Sequence, residues 1–398
     1  MPRRSVAAAL LVLAALGCAA GWLALQPAYS FVWRALRDAD EDLDWGQAPP
    51  WPLFNLVNYL ATWLPRLQAR LLPPHLHVGQ LGVADSLAGG HLPLAELARR
   101  SGVKSEELGR LLRAASSHGV FKEVGPGVWG NNRGSSVLRR SHPSSCNLMV
   151  QVWGDESYSA YEKLADSLQP GSPPAFELRH GAPFFYWLSQ AGNEQRLAIF
   201  HGALQDAAKT MNAATLQDYP WQRHANQTVS DVGGGHGGFL AALLAAHPGI
   251  RGMLVDLPEV VAGAEGHWRR RYPELLGRVQ MVQGDFFRTV PPADVFFLRY
   301  IIHDWSDAQA ARILRTLRAA ISAGREQHAT LLIQDAVLPS SGPPSPLYAA
   351  LDLQMLAISG GKERSQREWE QLLAAAGFRL RRVHRLRTLT AVLEAQAA

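Results

Sequence analysis

The stretch Thr228-Val-Ser-Asp-Val-Gly-Gly-Gly-His-Gly-Gly-Phe-Leu-Ala-Ala-Leu-Leu244 decides the fold. A β-branched run ends at Val232. A glycine cluster from Gly233 to Gly238, interrupted only by His236, follows at once. An apolar, Ala/Leu-rich helix is expected over Phe239 to Ala246. Strand, glycine turn and helix in this order bring backbone N–H groups close against a nucleotide. Only residues without a Cβ allow that approach and the positive φ it needs. A glycine cluster by itself also serves as a bare tight turn, so the residues that follow carry the decision.

Met253-Leu-Val-Asp256-Leu-Pro reads as a second buried strand ending in a carboxylate. In doubly wound nucleotide sites an acid at that position accepts hydrogen bonds from ribose hydroxyls. Val279-Gln-Met-Val is a third strand, running into Gly284-Asp285-Phe286-Phe287. A fourth, Asp294 to Ile302, runs into His303-Asp304-Trp305, and Thr330 to Asp335 is the fifth. Ligands of such sheets sit beyond the carboxyl ends of the strands. Asp231, Asp256, Asp285 and His303 therefore fall on one rim. Gly233-x-Gly235-x-x-Gly238 formally satisfies the dinucleotide fingerprint. Asp231 and Asp285, however, suit a ligand with a charged amino-acid tail and an adenine amino group, as in S-adenosylmethionine.

Five motifs in order sharpen this: DVGGGHGG from Asp231, VDLPEVV from Val255, GDFF from Gly284, LRYIIHDWSD from Leu298 and GGKERSQREWEQLLAAAGF from Gly360. The series resembles the S-adenosylmethionine-dependent O-methyltransferases of the caffeic-acid and hydroxyindole (acetylserotonin) type, over the region from Leu92 to the C-terminus. The resemblance implies an α/β fold: a seven-stranded, doubly wound, Rossmann-like methyltransferase domain with an antiparallel end, preceded by an α-helical winged-helix dimerisation domain. It implies cofactor contacts at Asp231, Gly233, Gly235, Asp256, Leu257, Asp285, Phe286 and Arg299. Arg299 stands where lysine is common in the family. It also implies His303 as general base, Glu363 holding the other ring nitrogen, and Asp335 as a second acidic position. No metal is implied. The partners implied are a small aromatic acceptor bearing a hydroxyl and a second copy of the chain.

The chemistry agrees. Methyl transfer from a sulfonium to a phenolic oxygen is an in-line displacement of an already activated group. The protein must orient two reactants and remove one proton. A phenol has a pKa near 10, and a neutral imidazole with a pKa near 6.5 can take its proton as the oxygen attacks. His236 has no evident catalytic part. The rival reading, an NAD-dependent oxidoreductase, lacks a Tyr-x-x-x-Lys pair and leaves Asp285 and His303-Asp304-Trp305 unexplained. A second rival, a non-catalytic scaffold or regulator, is opposed by the intact base and its acidic partners.

Length and composition set the frame. The 398 residues are 47% hydrophobic and 18% charged, which is ordinary globular composition and suggests two domains plus an extension. The formal net charge of +5 is small for this length, and no nucleic-acid partner is expected. Two cysteines, Cys18 and Cys146, imply no disulfide framework.

Arg3 and Arg4 precede an apolar stretch from Val6 to Leu25, about long enough to cross a bilayer as a helix. A membrane anchor, a cleaved signal or transit peptide and a buried helix all remain open, in that order. The first implies a membrane-associated chain, and cleavage implies a cytoplasmic or organellar one. Arginines before the span favour an N-terminus in the cytosol.

The expected division is 1–28 anchor or signal, 29–52 acidic and Pro-rich linker, 53–145 winged-helix-like dimerisation domain, 146–225 helical connection to the acceptor pocket, and 226–398 cofactor-binding catalytic domain. An amphipathic helix is expected over Leu53 to Leu72, and a helix over Leu76 to Leu87. A helix-turn-helix is expected over Leu92 to Ala115, and a two-stranded wing over Phe121 to Asn132. Glu106 and Glu107 on the second of these helices would be repelled by phosphate, so an interaction module is preferred over a DNA reader. In the connection, aromatic residues from Trp153 to Phe200 are read mostly as core, with a minority walling the acceptor pocket. Where the family has phenylalanine and then methionine four residues later, this chain has Phe200 and Leu204. The sequon at Asn226 abuts a strand and is read as incidental.

Overall fold

The computed structural model describes residues 77–324, 329–342 and 344–398. The apolar stretch 6–25, the linker, the expected helix over Leu53 to Leu72 and Cys18 lie outside the described residues. Among those described, no helix is long and apolar enough to cross a membrane.

The chain first builds a small helical module. The helix expected from Leu76 is two short ones, α1 (His77–Gln80) and α2 (Val83–Ser86), because Gly82 between them adopts φ 66°. Leu92 does not begin a helix either. Leu92–Pro93 is a strand, β1, that pairs with Trp129 and Val128, and the proline then opens α3 (Leu94–Ser101). Then come α4 (Ser105–Ser117) and the wing strands β2 (Lys122–Gly125) and β3 (Val128–Gly130), so the wing sheet has three strands rather than two. Leu97, Leu108, Leu112, Phe121 and Trp129 close the core of this module. Cys146 is a free thiol that burial pushes up to about 12.

A run of helices follows, among them α5 (Phe184–Ser189) and the long α6 (Glu194–Asp218). The sheet then begins with β4 (Thr228–Val232), α7 (Gly238–Ala246), β5 (Arg251–Asp256), α8 (Pro258–Arg271), β6 (Val279–Gln283) and β7 (Val295–Arg299). It continues with α9 (Asp307–Ala323), β8 (Thr330–Leu338), α10 (Pro346–Ile358), the two-residue β9 (Arg364–Ser365) and α11 (Gln366–Ala375). The hairpin β10 (Phe378–Arg385) and β11 (Thr390–Ala397) ends it.

Strand order is β10-β11-β8-β7-β4-β5-β6, with β9 beside β8. Strands β4 to β8 run parallel, while β11 is antiparallel to both β8 and β10. Apart from the short β9, this is the expected seven-stranded sheet. Alternation along β7 shows how both faces are covered. Phe296 and Leu298 pack with Ile313 and Leu317 of α9 and Trp369 of α11. Val295 and Phe297 pack with Leu240 and Leu243 of α7 and Trp268 of α8. Apolar residues on both faces of a strand mark a sheet buried on both sides. The chain leaves β4 toward β5 and β6, then returns to place β7 on the other side of β4. That reversal is the switch point at which such sheets bind ligands.

Candidate active site

The glycine loop after β4 is formed by backbone. Gly233, Gly235 and Gly237 hold φ of 71°, 60° and 73°, a conformation that side chains rarely adopt. Gly234 lies so close to the Asp231 carboxyl and to Leu254 that a Cβ there would sit 2.7 Å and 2.6 Å from them. Asp256, at the end of β5, ties the loop down. Its Oδ2 accepts from Gly235 N and its Oδ1 from Leu257 N, both at 2.8 Å. A carboxylate offers about four lone-pair sites, so about half of them stay open toward the rim. Leu257 beside it is 43% exposed.

Asp285 sits in the turn after β6, where its Oδ1 accepts from Phe287 N at 2.8 Å. Phe286 packs near both Gly233 and the Trp305 ring. Asp231 is buried, and burial pushes its carboxyl up to about 6. Arg299, at the end of β7, lies with its guanidinium 4.7 Å from the Phe239 ring centroid and donates to Asn212. Its charge acts on Asp231. His236 stands between the rings of His201 and His267, which joins the loop to α6 and α8.

The other half of the rim begins where β7 stops at Arg299, three residues short of the expected end. Tyr300 takes φ 54°, which a non-glycine residue holds only under constraint. The constraint is a bond from Tyr300 N to the Gln334 carbonyl of β8, at 3.1 Å. The turn delivers His303 on a short 3₁₀ segment, Ile302–Asp304. His303 Nδ1 lies 2.9 Å from Glu363 Oε1, which leaves Nε2 as the nitrogen for an acceptor. Asp304 Oδ1 is 3.7 Å from that nitrogen.

The 360–364 segment clamps this turn. Lys362 N donates to the His303 carbonyl at 2.9 Å, and a Cβ on Gly361 would overlap the same oxygen. Glu363 N donates to Asp352 Oδ1 of α10 at 2.8 Å. The wholly buried Arg364 donates to the carbonyls of Ile302 and Trp305 and to Asp307. In sequence, Arg364 and Gly361 are only neighbours of Glu363 in the GGKER motif. Adjacency to Glu363 was the only signal, because both act through a segment some 60 residues away.

Asp335, on β8, is fully buried, and neither of its carboxyl oxygens has a hydrogen-bond partner among the described residues. Glu363 Oε2 is likewise unpartnered. Burying three carboxyls around one imidazole is costly if all ionise. Burial accordingly pushes Asp335 up to about 7 and Asp304 up to about 6. Burial alone would lower the imidazole of His303. The carboxyls of Glu363, Asp304 and Asp335 outweigh it and hold the ring at about 10. The carboxyls thus move the ring upward from the ordinary imidazole value near 6.5 that the sequence suggests.

Residues 161–379 match the family described as the O-methyltransferase domain, and residues 77–141 match the O-methyltransferase dimerisation domain. The chain belongs to the O-methyltransferases. It is 36% identical over 307 residues to the phenazine O-methyltransferase PhzM of Lysobacter antibioticus, covering 76% of this chain and 86% of that protein. It is 34% identical over 319 residues to the 8-amino-8-demethylriboflavin N,N-dimethyltransferase of Streptomyces davaonensis, covering 80% and 89%. Among solved structures it resembles the O-methyltransferase NcsB1 from neocarzinostatin biosynthesis, in complex with S-adenosylmethionine and 2-hydroxy-5-methyl naphthoic acid. That likeness has a TM-score of 0.69 at 31% identity and covers 82% of this chain and 96% of that one.

This methyltransferase uses S-adenosylmethionine, and the oxidoreductase and scaffold readings fall away. The rim fits that cofactor. Asp256 keeps carboxylate lone pairs beyond the two that hold Gly235 N and Leu257 N, and these suit a ribose diol.

Proposed function

We propose that the chain methylates a hydroxyl of a small aromatic, phenolic or polyketide-like acceptor, with His303 as general base. The observation that carries this reading is the His303–Glu363 pair, with Nε2 turned away from Glu363, beside aromatic side chains. Phe185 of α5 lies 6.3 Å, centroid to centroid, from Trp305 and 6.2 Å from Phe200 of α6. Leu204, one turn on from Phe200, is 46% exposed. A flat acceptor suits such a wall.

Asp231, Gly233, Gly235, Asp256, Leu257, Asp285, Phe286 and Arg299 would hold the cofactor. When bound, S-adenosylmethionine supplies a methyl group on a sulfonium, whose positive charge lowers the proton affinity of groups nearby. His303, once neutral, takes the hydroxyl proton on Nε2. Glu363 fixes the ring through Nδ1 and stabilises the imidazolium that results. Asp335 stands behind them and sets how tightly the ring holds its proton.

In this division residues 53–145 pair two copies of the chain, 146–225 wall the acceptor and 226–398 carry the cofactor. The apolar stretch 6–25 acts as a membrane anchor ahead of them, joined by the linker 29–52. Labelled methyl transfer to a panel of phenols, hydroxyindoles and hydroxynaphthoates tests the activity, with arylamines as controls. Labelling of the arylamines alone would overturn the hydroxyl reading.

A further inference from the structure

β10 forms one edge of the large sheet and reads Phe378-Arg-Leu-Arg-Arg-Val-His-Arg385. In a regular strand, successive side chains alternate between faces. Here the register breaks. Leu380 pairs with Ala395 and Arg382 with Glu394, which leaves Arg381 as the extra residue of a bulge. Arg379 lies opposite Gln396 and Arg382 opposite Glu394, alternate residues of β11 that share a face. Arg381 Nε reaches Gln396 Oε1 on the same face at 3.1 Å.

The bulge thus gathers three arginines where strict alternation would have divided them. All three are exposed, and none makes an ion pair among the described residues. Arg223 and His384 join them. Glu394, the only carboxylate in residues 378–397, is already taken by Arg223 at 3.1 Å and His384 at 2.8 Å.

A single charge is enough to blunt an edge strand against pairing. A bulge that re-aims a side chain to build a three-arginine cluster does more than that. No aromatic side chain stands among these arginines on β10 for a base to stack on, as a single-stranded nucleic acid would require. The geometry points to a docking face for an anionic phospholipid surface, with the three guanidinium groups meeting headgroup phosphates. Arginine suits this by its planar, two-pronged donor geometry. The occupant is argued from charge: three exposed guanidinium groups on one face, without carboxylate partners among the described residues, complement a surface of closely spaced phosphates. The inference goes beyond methyl transfer and does not depend on it.

The test is partition of the full chain onto vesicles of phosphatidylcholine alone and of phosphatidylcholine with phosphatidylserine. Any contribution of the apolar stretch is common to both, so the arginine face is read as the ratio between them. The serine lipid is expected to raise partition by about fivefold per arginine at low salt, and by on the order of a hundredfold for the three. The triple variant Arg379→Gln/Arg381→Gln/Arg382→Gln should lose that ratio, and the corresponding triple Lys variant should keep most of it. S-adenosylmethionine affinity should stay unchanged in both, which establishes that they are folded. An unchanged ratio in the Gln variant overturns the inference. So does an equal loss in the Lys variant, which would trace the effect to shape rather than charge. Tighter binding of duplex DNA than of the serine vesicles, lost in the Gln variant, would assign the face to nucleic acid instead.

Discussion

The two halves of the rim are held together by opposite means. On the β4–β5 side a backbone turn does most of the work, and one half-buried carboxylate, Asp256, pins it through two N–H groups. On the β7–β8 side, buried charges from separate segments meet around His303, and Arg364 and the Gly361 backbone hold the turn against them. The first half is local and open to the ligand. The second is assembled over long range and is largely buried. Damage to the first should therefore appear as lost cofactor affinity, and damage to the second as lost rate or a moved pH profile.

The sharpest way to break that division is His303→Gln. Turnover is expected to fall by about 10²–10⁴-fold, the usual cost of removing a general base. S-adenosylmethionine affinity by calorimetry should remain near wild type. Loss of cofactor binding instead would make His303 structural and merge the two halves.

Asp256→Ala probes the other side. Losing charge-assisted hydrogen bonds of this kind costs roughly 1.5–3 kcal/mol, which is about ten- to a hundredfold in cofactor dissociation constant. The pH profile of turnover at saturating cofactor should not move. A variant that binds S-adenosylmethionine as tightly as wild type would remove Asp256 from the site.

Glu363→Gln is the subtlest. The base works only when neutral, so activity should rise with pH as the imidazole loses its proton. Because the surrounding carboxyls raise that pKa, the acid limb of kcat/KM should lie above the ordinary imidazole value. Replacing Glu363 removes one of the groups that raise it, so the limb should move to lower pH, by roughly one unit or more. Turnover should fall less than in His303→Gln. A limb that stays put would show that Glu363 does not set the proton affinity of the ring.

Removal of residues 1–26 should leave turnover on a soluble acceptor within experimental error while releasing the chain from vesicles of neutral phosphatidylcholine, to which the arginines of β10 have no attraction. A truncated, folded chain that still sediments wholly with those neutral vesicles would discard the anchor.

What could be read from sequence follows the same division. β4, the glycine loop, α7 and the acid of β5 lie within 29 consecutive residues, 228–256, so their pattern is visible along the chain. His303 and Glu363 were legible as types in motifs, and the structure brings them to 2.9 Å. The upward shift of His303 was not legible, because Asp304, Asp335 and Glu363 cause it jointly and their burial is a property of the packed chain. The early end of β7 escaped notice for a similar reason. Tyr300 is an unremarkable strand residue until Gln334 of β8 captures its N–H. Gly82 and Pro93 are locally strong breakers, and they override the apolar periodicity around them.

The helices that carry Phe184, Phe200 and Leu188 pack into a cluster of their own with Ala357 and Ile358 of α10, apart from the two clusters that flank the sheet. Retooling the acceptor preference therefore need not disturb the machinery that moves the methyl group. On the acceptor wall proposed above, random libraries at Phe185, Phe200 and Leu204 are expected to change the acceptor and leave cofactor affinity intact. Position 361 offers no such latitude, since any side chain there collides with the backbone that carries the base.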